Sequence, residues 1–216
     1  TTEIYTLSLH DALPIYQSSI NISRNFKAPT FNDLYWEPGG NRDLIPETSY
    51  QAEMSHYFSY HNFKLGITPY YIKMTDMIQW VPVTPAIWSP KNVKKVDFYG
   101  LETELSFNKN WNNHKVDAKI SYSHTRSVDL ETKKQLSYVP FHQINFNSSY
   151  QYKIIGLFFQ ALYNSKRYVD DSEINYLENY FVLNAGIKLN PTKHIQLGFK
   201  INNITNIRTP KSINAL

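Results

Sequence analysis

The chain lacks cysteine altogether and holds only 7 glycines among its 216 residues. The absence of cysteine excludes a disulfide framework and any metal site built on thiolates. So few glycines are unusual for a soluble β-sandwich, which needs many tight turns. No apolar run approaches the length of a transmembrane helix, and the mean hydropathy is −0.46. If this chain crosses a membrane, it must therefore cross it with strands.

Signals for nucleic acid and for secretion are also missing. The formal net charge is +4, from 22 basic and 18 acidic residues, and no concentrated basic block is present. We therefore predict no nucleic-acid partner. No secretory signal opens the sequence. A membrane-barrel interpretation then requires a true N-terminus that lies upstream of this sequence.

Residues 1–15, TTEIYTLSLHDALPI, fall outside the pattern that follows. They alternate poorly, and they lack the charged start and long apolar core of a signal peptide. The string YTLSLHDALPI resembles a translated sequencing adapter. We interpret residues 1–15 as a non-native or disordered leader and give His10 and Asp11 no catalytic weight. The alternative is an ordinary flexible terminus.

From residue 16 onwards, apolar and polar residues alternate in about nine segments of roughly ten residues each. That length suits a tilted strand that crosses a bilayer, whereas soluble strands average about five or six residues. One face of each segment is apolar and predicts contact with lipid. The other face is rich in Gln, Asn, Ser, Lys and Glu, which is typical of a wet lumen. Aromatic residues gather towards the segment ends, as membrane girdles do, at Tyr16, Trp80, Tyr122, Tyr150, Tyr152 and Tyr163.

The connections between these segments alternate in length. Short turns are predicted after the second, fourth, sixth and eighth segments. Long connections follow the others, near residues 24–47, 81–96, 128–138 and 167–179. Outer-membrane barrels have this asymmetry, with short periplasmic turns and long extracellular loops. The pattern predicts an all-β fold, an antiparallel up-and-down transmembrane β-barrel. The alternative is a soluble β-sandwich that serves as a carbohydrate-binding or adhesion module.

The first long connection is unusually aromatic, with Phe26, Phe31, Tyr35 and Trp36 among its residues. Exposed aromatic side chains need something to pack against, so this segment either folds into a cavity or forms a binding surface. We expect Phe26–Tyr35 to pack inside the mouth of the barrel.

The same stretch resembles a family, the TonB-dependent receptors of Gram-negative outer membranes. FKAPTFNDLYW matches the family's F-[RK]-A-P-[TN]-x-x-[ED]-L-Y segment, and NRDLIPETSYQAE matches its N-x-x-L-x-P-E-x-S-x-x-x-E segment. Later runs resemble the motifs that follow in the family: DMIQW, VDFYGLETE, LSYVPFHQINF and FKINNITN. The resemblance covers about residues 16 to 207. The motif residues expected to be structural are Phe26, Lys27, Ala28, Pro29, Leu34, Tyr35, Asn41, Pro46, Glu47, Gly100, Glu102 and Glu104.

The resemblance implies a twenty-two-stranded barrel closed by an N-terminal plug, whose TonB box couples it to TonB–ExbB–ExbD. It also implies energised uptake of a scarce chelate, an iron-siderophore or a cobalamin-like compound, with outer-membrane lipid as a further partner. The branch that it resembles is that of the cobalamin and siderophore receptors, and we expect a source among the Bacteroidota.

The sequence departs from the family because it shows no plug and only the later strands. We therefore predict an incomplete fragment of about nine strands. We divide the chain into a leader at residues 1–15, a partial barrel at residues 16–207 and a truncated tail at residues 208–216.

Nothing in the sequence predicts an enzyme, and no cofactor is expected. His124 and His142 flank a connection and are expected to approach each other, but the alternation places His142 at the lipid interface and disfavours a catalytic role. Asp170, Asp171 and Glu173 form an acidic run that is a weak candidate for a divalent metal site. A solvated loop is the favoured alternative.

Aromatic residues and arginines on or beside the long connections are candidate substrate contacts, since such side chains grip large chelates and rings. These candidates are Trp36, Trp80, Trp88, Arg126, Arg167 and Tyr168. The alternative is membrane anchoring or packing within the loops. Glu102 and Glu104 share the lumenal face of one strand, where they are expected to form a charge ladder with Lys119 or Lys188, or to dock the plug.

Overall fold

The computed structural model describes residues 3–9, 16–84, 86–170, 172–192 and 194–208, with backbone alone at 3–9 and at 82. Within these ranges one short helix, α1 (Phe31–Tyr35), interrupts strands and their connections. The strands are β1 (Glu3–Leu9), β2 (Tyr16–Lys27), β3 (Glu47–Tyr60), β4 (Phe63–Thr84), β5 (Ile87–Trp111), β6 (His114–Asp129), β7 (His142–Tyr152), β8 (Ile155–Asn164), β9 (Arg167–Tyr168), β10 (Tyr176–Leu177), β11 (Tyr180–Leu189) and β12 (Leu197–Ile201). Among the described residues, no helix is long and apolar enough to span a membrane.

Ten of these strands form one open antiparallel sheet in the order β1–β8, β11 and β12, while β9 and β10 pair separately. Each strand of the large sheet pairs with its neighbour along the chain, which is an up-and-down meander. The nine segments predicted from alternation are present as β2–β8, β11 and β12; eight have ten residues or more, whereas β12 has five. The described residues form one sheet layer without a second sheet packed on it, so the β-sandwich alternative is not favoured.

The leader contributes backbone to the sheet edge. Residues Glu3–Leu9 pair with β2, from Glu3 opposite Arg24 to Leu9 opposite Ser18. The edge of β2 offers unpaired N–H and C=O groups that any extended segment can satisfy. The division of the chain at residue 16, with a non-native or disordered leader before it, stays a prediction.

Three predicted short turns close tight hairpins at one end of the sheet, here called the short-turn end. Each has a residue in the left-handed region: His61 (φ 51°), Asn112 (φ 49°) and Lys153 (φ 47°). Two-residue hairpin turns require positive φ because only that geometry matches the twist of the flanking strands. The opposite end, with residues 28–46, 130–141 and 165–175, is the long-connection end.

The predicted long connection at 81–96 is wrong, because β4 and β5 stay paired up to Thr84 opposite Ile87. Its prolines suggested a break in the sheet. However, β3 leaves β4 at Thr75 and β6 leaves β5 at Val96. Beyond these points both strands have a free edge, where proline removes no ladder hydrogen bond. This two-stranded part, residues 76–95, is called the overhang; it begins at register shifts around Met77.

Buried side chains gather at the long-connection end. Val96 is 0% exposed, Leu136 7% and Leu44 9%. Gln135 is equally buried, and its Oε1 accepts a hydrogen bond from the Ser127 amide at 3.0 Å. A single sheet with one face towards lipid and the other towards a lumen has no internal core of its own. The packed centre of this chain therefore lies where the connections meet the overhang.

The apolar face of the sheet, called the outward face, is bounded by aromatic rows. At the short-turn end, Trp111 stacks on His114 with ring centroids 5.1 Å apart, and His114 stacks on Tyr152 at 4.5 Å. Towards the other end, Tyr122 donates or accepts a 2.9 Å hydrogen bond with His142. Between these rows β6 presents Val116, Ala118 and Ile120. Aromatic girdles on either side of an apolar band are the pattern of a membrane barrel.

Candidate ligand cleft and its supporting connections

The first long connection contains a capped helical turn. The Thr30 hydroxyl accepts from the Asp33 amide at 3.2 Å, and the Asp33 carboxylate accepts from the Thr30 amide at 2.8 Å. This reciprocal capping box starts α1. The helix buries no residue, and Phe31 and Tyr35 are 76% and 45% exposed. The packing of Phe26–Tyr35 inside the barrel mouth stays a prediction, because the open sheet has no closed mouth; within the described part the connection packs through its polar groups.

Those polar groups attach the connection to the overhang. The indole Nε1 of Trp80 donates to Asp33 at 2.9 Å. The Asn41 amide group donates to the Pro90 carbonyl at 3.0 Å. At Gly39 a Cβ atom would lie less than 3.0 Å from the Trp88 carbonyl oxygen. The close approach of the two backbones therefore requires glycine at this position.

Asn92 and Glu47 complete the attachment. The Asn92 side chain accepts from the Ile45 amide at 3.0 Å and donates to the carbonyl oxygens of Ile45 at 2.9 Å and Asp76 at 2.7 Å. Glu47 is 6% exposed; it accepts from the Ile78 amide at 2.8 Å and pairs with Lys27 at 3.3 Å. Three backbone groups of the overhang thereby gain a partner: the Ile78 amide and the carbonyl oxygens of Asp76 and Pro90.

The pKa of the Asp33 carboxyl group is lowered. Burial alone would raise its pKa, but hydrogen bonds from Thr30 and Trp80, together with nearby Lys27, hold the pKa of Asp33 below its usual value. A depressed carboxyl pKa stabilises the fold above the unfolded pKa of about 3.9. That contribution is lost as the pH falls through the lower folded-state pKa.

We expect Trp80→Phe to raise the pKa of Asp33, since it removes one of the hydrogen bonds that favour the ionised form. The measurement is a carbon-13 titration of the aspartate carboxyl groups, with Asp33→Asn to assign the signal. Trp36→Phe is the control because Trp36 is exposed and the indole bond to Asp33 belongs to Trp80. An unchanged Asp33 titration in Trp80→Phe contradicts the assigned hydrogen bond.

A cleft of about 690 Å³ lies between the overhang and the connections that follow β6 and β8. Its walls are largely aromatic and aliphatic, from Trp80, Trp88, Tyr138, Leu136 and Val169. The other lining residues are Met77, Gln79, Val81, Val93, Lys94, Asp129, Glu131, Thr132, Ser137 and Asp170. Open, mostly apolar concavities with a few polar groups are the usual form of small-molecule sites.

One ion pair crosses the base of the cleft. Lys94 Nζ lies 3.2 Å from Asp129 Oδ2, with side chains 11% and 5% exposed. Asp129 Oδ1 accepts from the Glu131 amide at 2.8 Å, which fixes the turn after β6. Next to it, Tyr138 N donates to the Tyr168 carbonyl at 2.6 Å and joins two connections. These contacts join β5, the connection after β6 and the connection after β8, and so fix the walls of the cleft.

The substrate candidates separate into three groups. Trp80 and Trp88 line the cleft together, and Trp88 is 53% exposed. Arg126 and Tyr168 both lie against Phe141: the Arg126 guanidinium is 5.3 Å and the Tyr168 ring 6.2 Å from its ring centroid. Arg126 shares the parity of Tyr122 and His124 on β6 and so lies on the outward face.

Two candidates stand apart. The Arg167 guanidinium lies over the Tyr180 ring at 5.4 Å. Trp36 is 57% exposed and is not among the residues that line the cleft.

The sequence-based candidates missed Lys94, Asp129, Leu136 and Tyr138. The composition of residues 128–138 predicts a polar surface connection, and nothing in the alternation distinguishes its three buried residues, Asp129, Gln135 and Leu136, from solvent-exposed ones. The prolines of the overhang predict a loop, so the sequence does not reveal the wall that the overhang supplies. Contacts within the tertiary structure fold this connection back over the sheet: Leu136 N donates to Ser127 O at 2.9 Å, and Ser127 N donates to Gln135 Oε1 at 3.0 Å.

The acidic run is organised by hydrogen bonds. Asp170 accepts from the amide and hydroxyl of Ser172 and from Asn175, and these bonds lower the pKa of Asp170. Glu173 accepts from the Gln135 amide at 3.0 Å. Asp171 lies outside the described residues. Within the described ranges no group of three or more His, Asp or Glu residues is placed to hold a metal ion, and the three-residue site stays a prediction.

The two histidines and the charge ladder can be placed directly. His124 and His142 face each other across β6 and β7 with ring centroids 4.9 Å apart, on the outward face. Lys119 forms an ion pair with Glu104 at 2.6 Å on the lumenal face. Lys188 lies farther along the sheet, opposite Gly156. A role of Glu102 and Glu104 in docking a plug stays a prediction.

Comparison with known proteins agrees with this architecture. A sequence profile described as "TonB dependent receptor-like, beta-barrel" matches residues 9–204. The vitamin B12 transporter BtuB of Vibrio vulnificus is 31% identical over 181 residues, which is 83% of this chain and 28% of that protein. BtuB of Photobacterium profundum is 29% identical over 190 residues, 86% of this chain and 31% of that protein. The chain thus spans under a third of these relatives.

A solved structure shows the same fold. The ferric enterobactin receptor of Pseudomonas aeruginosa superposes with a TM-score of 0.74 at 22% identity, over 94% of this chain and 34% of that one. The named relatives are transport receptors of Gram-negative bacteria, and none supports the expected source among the Bacteroidota. Since the profile covers most of the chain, this protein belongs to the family of TonB-dependent outer-membrane receptors and contributes strands of their β-barrel.

Proposed function

We propose that this chain is part of an outer-membrane receptor for the energised uptake of a scarce chelate, an iron-siderophore or a cobalamin-like compound. The observation that carries the proposal is the cleft of about 690 Å³ at the long-connection end, with Trp80, Trp88 and Tyr138 in its wall. In barrels of this type the longer connections face the outside of the cell. The cleft therefore lies on the side from which a nutrient arrives.

The cleft chemistry supports a ligand with broad ring surfaces. Aromatic walls offer large contact areas at little cost in side-chain entropy. The lining acids Asp129, Glu131 and Asp170 outnumber its one base, Lys94, and Lys94 is paired with Asp129. This balance does not favour a strongly anionic chelate. Coupling to TonB–ExbB–ExbD, through a plug encoded in the same gene, is part of the proposal.

The test is growth of a receptor-null strain that carries the complete gene, on cobalamin or on a single iron-siderophore as the limiting nutrient. We expect growth on one of these and loss of growth when TonB is deleted. Growth that does not depend on TonB, or a gene product that remains soluble without detergent, contradicts the proposal.

Within that strain, Trp88→Ala should weaken chelate binding about tenfold, because one large exposed ring leaves the cleft wall. Trp36→Ala is a matched control: Trp36 has nearly the same exposure, 57% against 53%, and lies outside the cleft lining. Binding is measured by titration of the purified complete receptor. Equal losses in both variants mean that the cleft is not the binding site.

A further inference from the structure

Two hydrogen bonds join the connection after β6 to the connection after β8. Tyr138 N donates to the Tyr168 carbonyl oxygen at 2.6 Å, and Gln135 N donates to Glu173 Oε1 at 3.0 Å. The first bond joins two backbone groups and is compatible with most residue types. The second bond uses a side-chain acceptor, so it depends on which residue stands at position 173.

The Gln135 amide has to find its partner within the protein. Gln135 is 1% exposed, so water does not reach its N–H group, and a buried amide without an acceptor is costly. The Gln135 side chain is bonded to the sheet, where its Oε1 accepts from the Ser127 amide at 3.0 Å. Gln135 is therefore held between the sheet on one side and Glu173 on the other.

The turn that presents Glu173 is fixed by its own hydrogen bonds. Asp170 Oδ1 accepts from the Ser172 amide at 2.9 Å, and Asp170 Oδ2 accepts from the Asn175 side chain at 2.8 Å. Val169 N donates to the Asn175 carbonyl oxygen at 3.1 Å, which closes the turn. Glu173 has a φ of 60°, in the left-handed region that residues with long side chains seldom adopt. Strain of this kind persists where the surrounding structure fixes it, and it clusters at functional sites.

The cleft wall begins directly after Gln135. Leu136 and Tyr138 line the cleft, whereas Glu173 is not among the described residues that do so. Tyr138 also has a left-handed backbone, with a φ of 64°, which a bulky residue keeps only when its neighbours are held. Glu173 therefore acts on the cleft wall through the Gln135 amide.

We propose that Glu173 is a positioning residue for chelate binding, which holds Leu136 and Tyr138 in the cleft wall before the chelate arrives. The proposal rests on the proposed function, which makes the cleft the binding site. When the Glu173 carboxylate is removed, the Gln135 amide loses its acceptor and the connection after β6 samples other conformations. The apparent affinity then falls in proportion to the fraction of receptor that keeps the binding conformation.

The test compares three variants of the complete receptor purified in detergent. Glu173→Ala removes the acceptor, whereas Glu173→Gln removes the charge and keeps a carbonyl oxygen in nearly the same place. Glu178→Ala is the matched control, since Glu178 is an exposed acid of the same connection. Hydrogen exchange of the Gln135, Leu136 and Tyr138 amides reports the state of the wall without any ligand. Titrations with cobalamin and with ferric enterobactin, as two separate probes, report binding.

We expect Glu173→Ala to exchange these three amides about tenfold faster than the parent receptor. It should also bind its chelate about tenfold more weakly, as a fall of the binding-competent fraction to about one tenth requires. Glu173→Gln and Glu178→Ala should stay near the parent values in both measurements. The amides of β7 should keep their protection in all three variants, because the bond made by Glu173 lies outside the strand ladder.

The positioning role is overturned if Glu173→Ala exchanges like the parent receptor, if Glu173→Gln behaves like Glu173→Ala, or if Glu178→Ala loses as much affinity. It is also overturned if affinity falls only together with the protection of β7, since that result indicates general unfolding.

The two proposals fail separately. A parent receptor that binds neither chelate and shows no TonB-dependent growth contradicts the proposed function, while amide exchange still decides whether Glu173 holds the connection. A parent receptor that takes up a chelate, together with a Glu173→Ala variant of unchanged affinity, contradicts the positioning role and leaves the proposed function intact.

Discussion

Replacing Gly100 by valine is expected to prevent β5 from pairing with β6 and to abolish assembly of the barrel. A Cβ atom at this position would lie less than 3.0 Å from the His124 carbonyl oxygen and 2.9 Å from the Tyr70 hydroxyl. Both obstacles are held in place, because His124 is backbone of the paired strand and Tyr70 is hydrogen-bonded to Thr125 at 2.8 Å. The His124 carbonyl cannot move aside without breaking the β5–β6 ladder, and the Tyr70 ring can do so only by losing its hydrogen bond to Thr125.

The expected cost is about 3 kcal/mol or more, at the upper end of what overpacking costs, because backbone cannot repack as side chains do. The measurement is the folded fraction of the complete receptor in detergent, followed by heat-shifted gel mobility and strand content by circular dichroism. Gly156→Val is the control. A Cβ there meets only atoms of Lys188, at 3.7 Å and beyond, which is ordinary contact. Equal assembly of both variants contradicts the assigned close approach.

Asn92→Asp is the second change with a large expected effect, and it should release the first long connection from the overhang. The asparagine amide donates to the carbonyl oxygens of Ile45 and Asp76 while its oxygen accepts from Ile45 N. An aspartate keeps the acceptor but places a negative charge against two carbonyl oxygens. Each orphaned polar group costs about 1–3 kcal/mol, so a total near 3 kcal/mol is expected.

The released connection should be detected by hydrogen exchange of residues 39–47, which should speed up while the β6–β8 ladder keeps its protection. Asn110→Asp is the control, because Asn110 is exposed at the short-turn end of the same strand. It should change stability by less than about 0.5 kcal/mol. Unchanged exchange in Asn92→Asp would show that other contacts suffice to hold the connection.

The roles of Gly100 and Asn92 differ in how far they can be predicted from the sequence. Gly100 stands in a run that resembles a family motif, and its alternating neighbours already mark a strand. Asn92 lies in a stretch whose prolines predicted a loop, and its three partners come from segments up to 47 positions away. Its role follows only from the overhang, which exists because the neighbouring strands β3 and β6 stop short of it.

The cleft illustrates the same limit. Trp80 and Trp88 were identifiable as aromatic residues near a long connection, and the structure places them in one wall. Tyr138 and Leu136 could not be identified in this way, since no local pattern shows which residues of a polar connection turn inward. Arg126 was grouped with the substrate candidates, yet the strand parity that could have separated it sets it on the outward face.

The alternation of apolar and polar residues determined by itself nine strand segments with one apolar side each, because side-chain direction in a strand repeats every two residues. It also determined three of the four long connections. Only the tertiary structure decided that the remaining one, at residues 81–96, belongs to a paired overhang and that the first connection is attached to it. It also decided that a cleft lies between the overhang and the connections after β6 and β8. Those features depend on where neighbouring strands end and on contacts between distant segments, which no local pattern encodes.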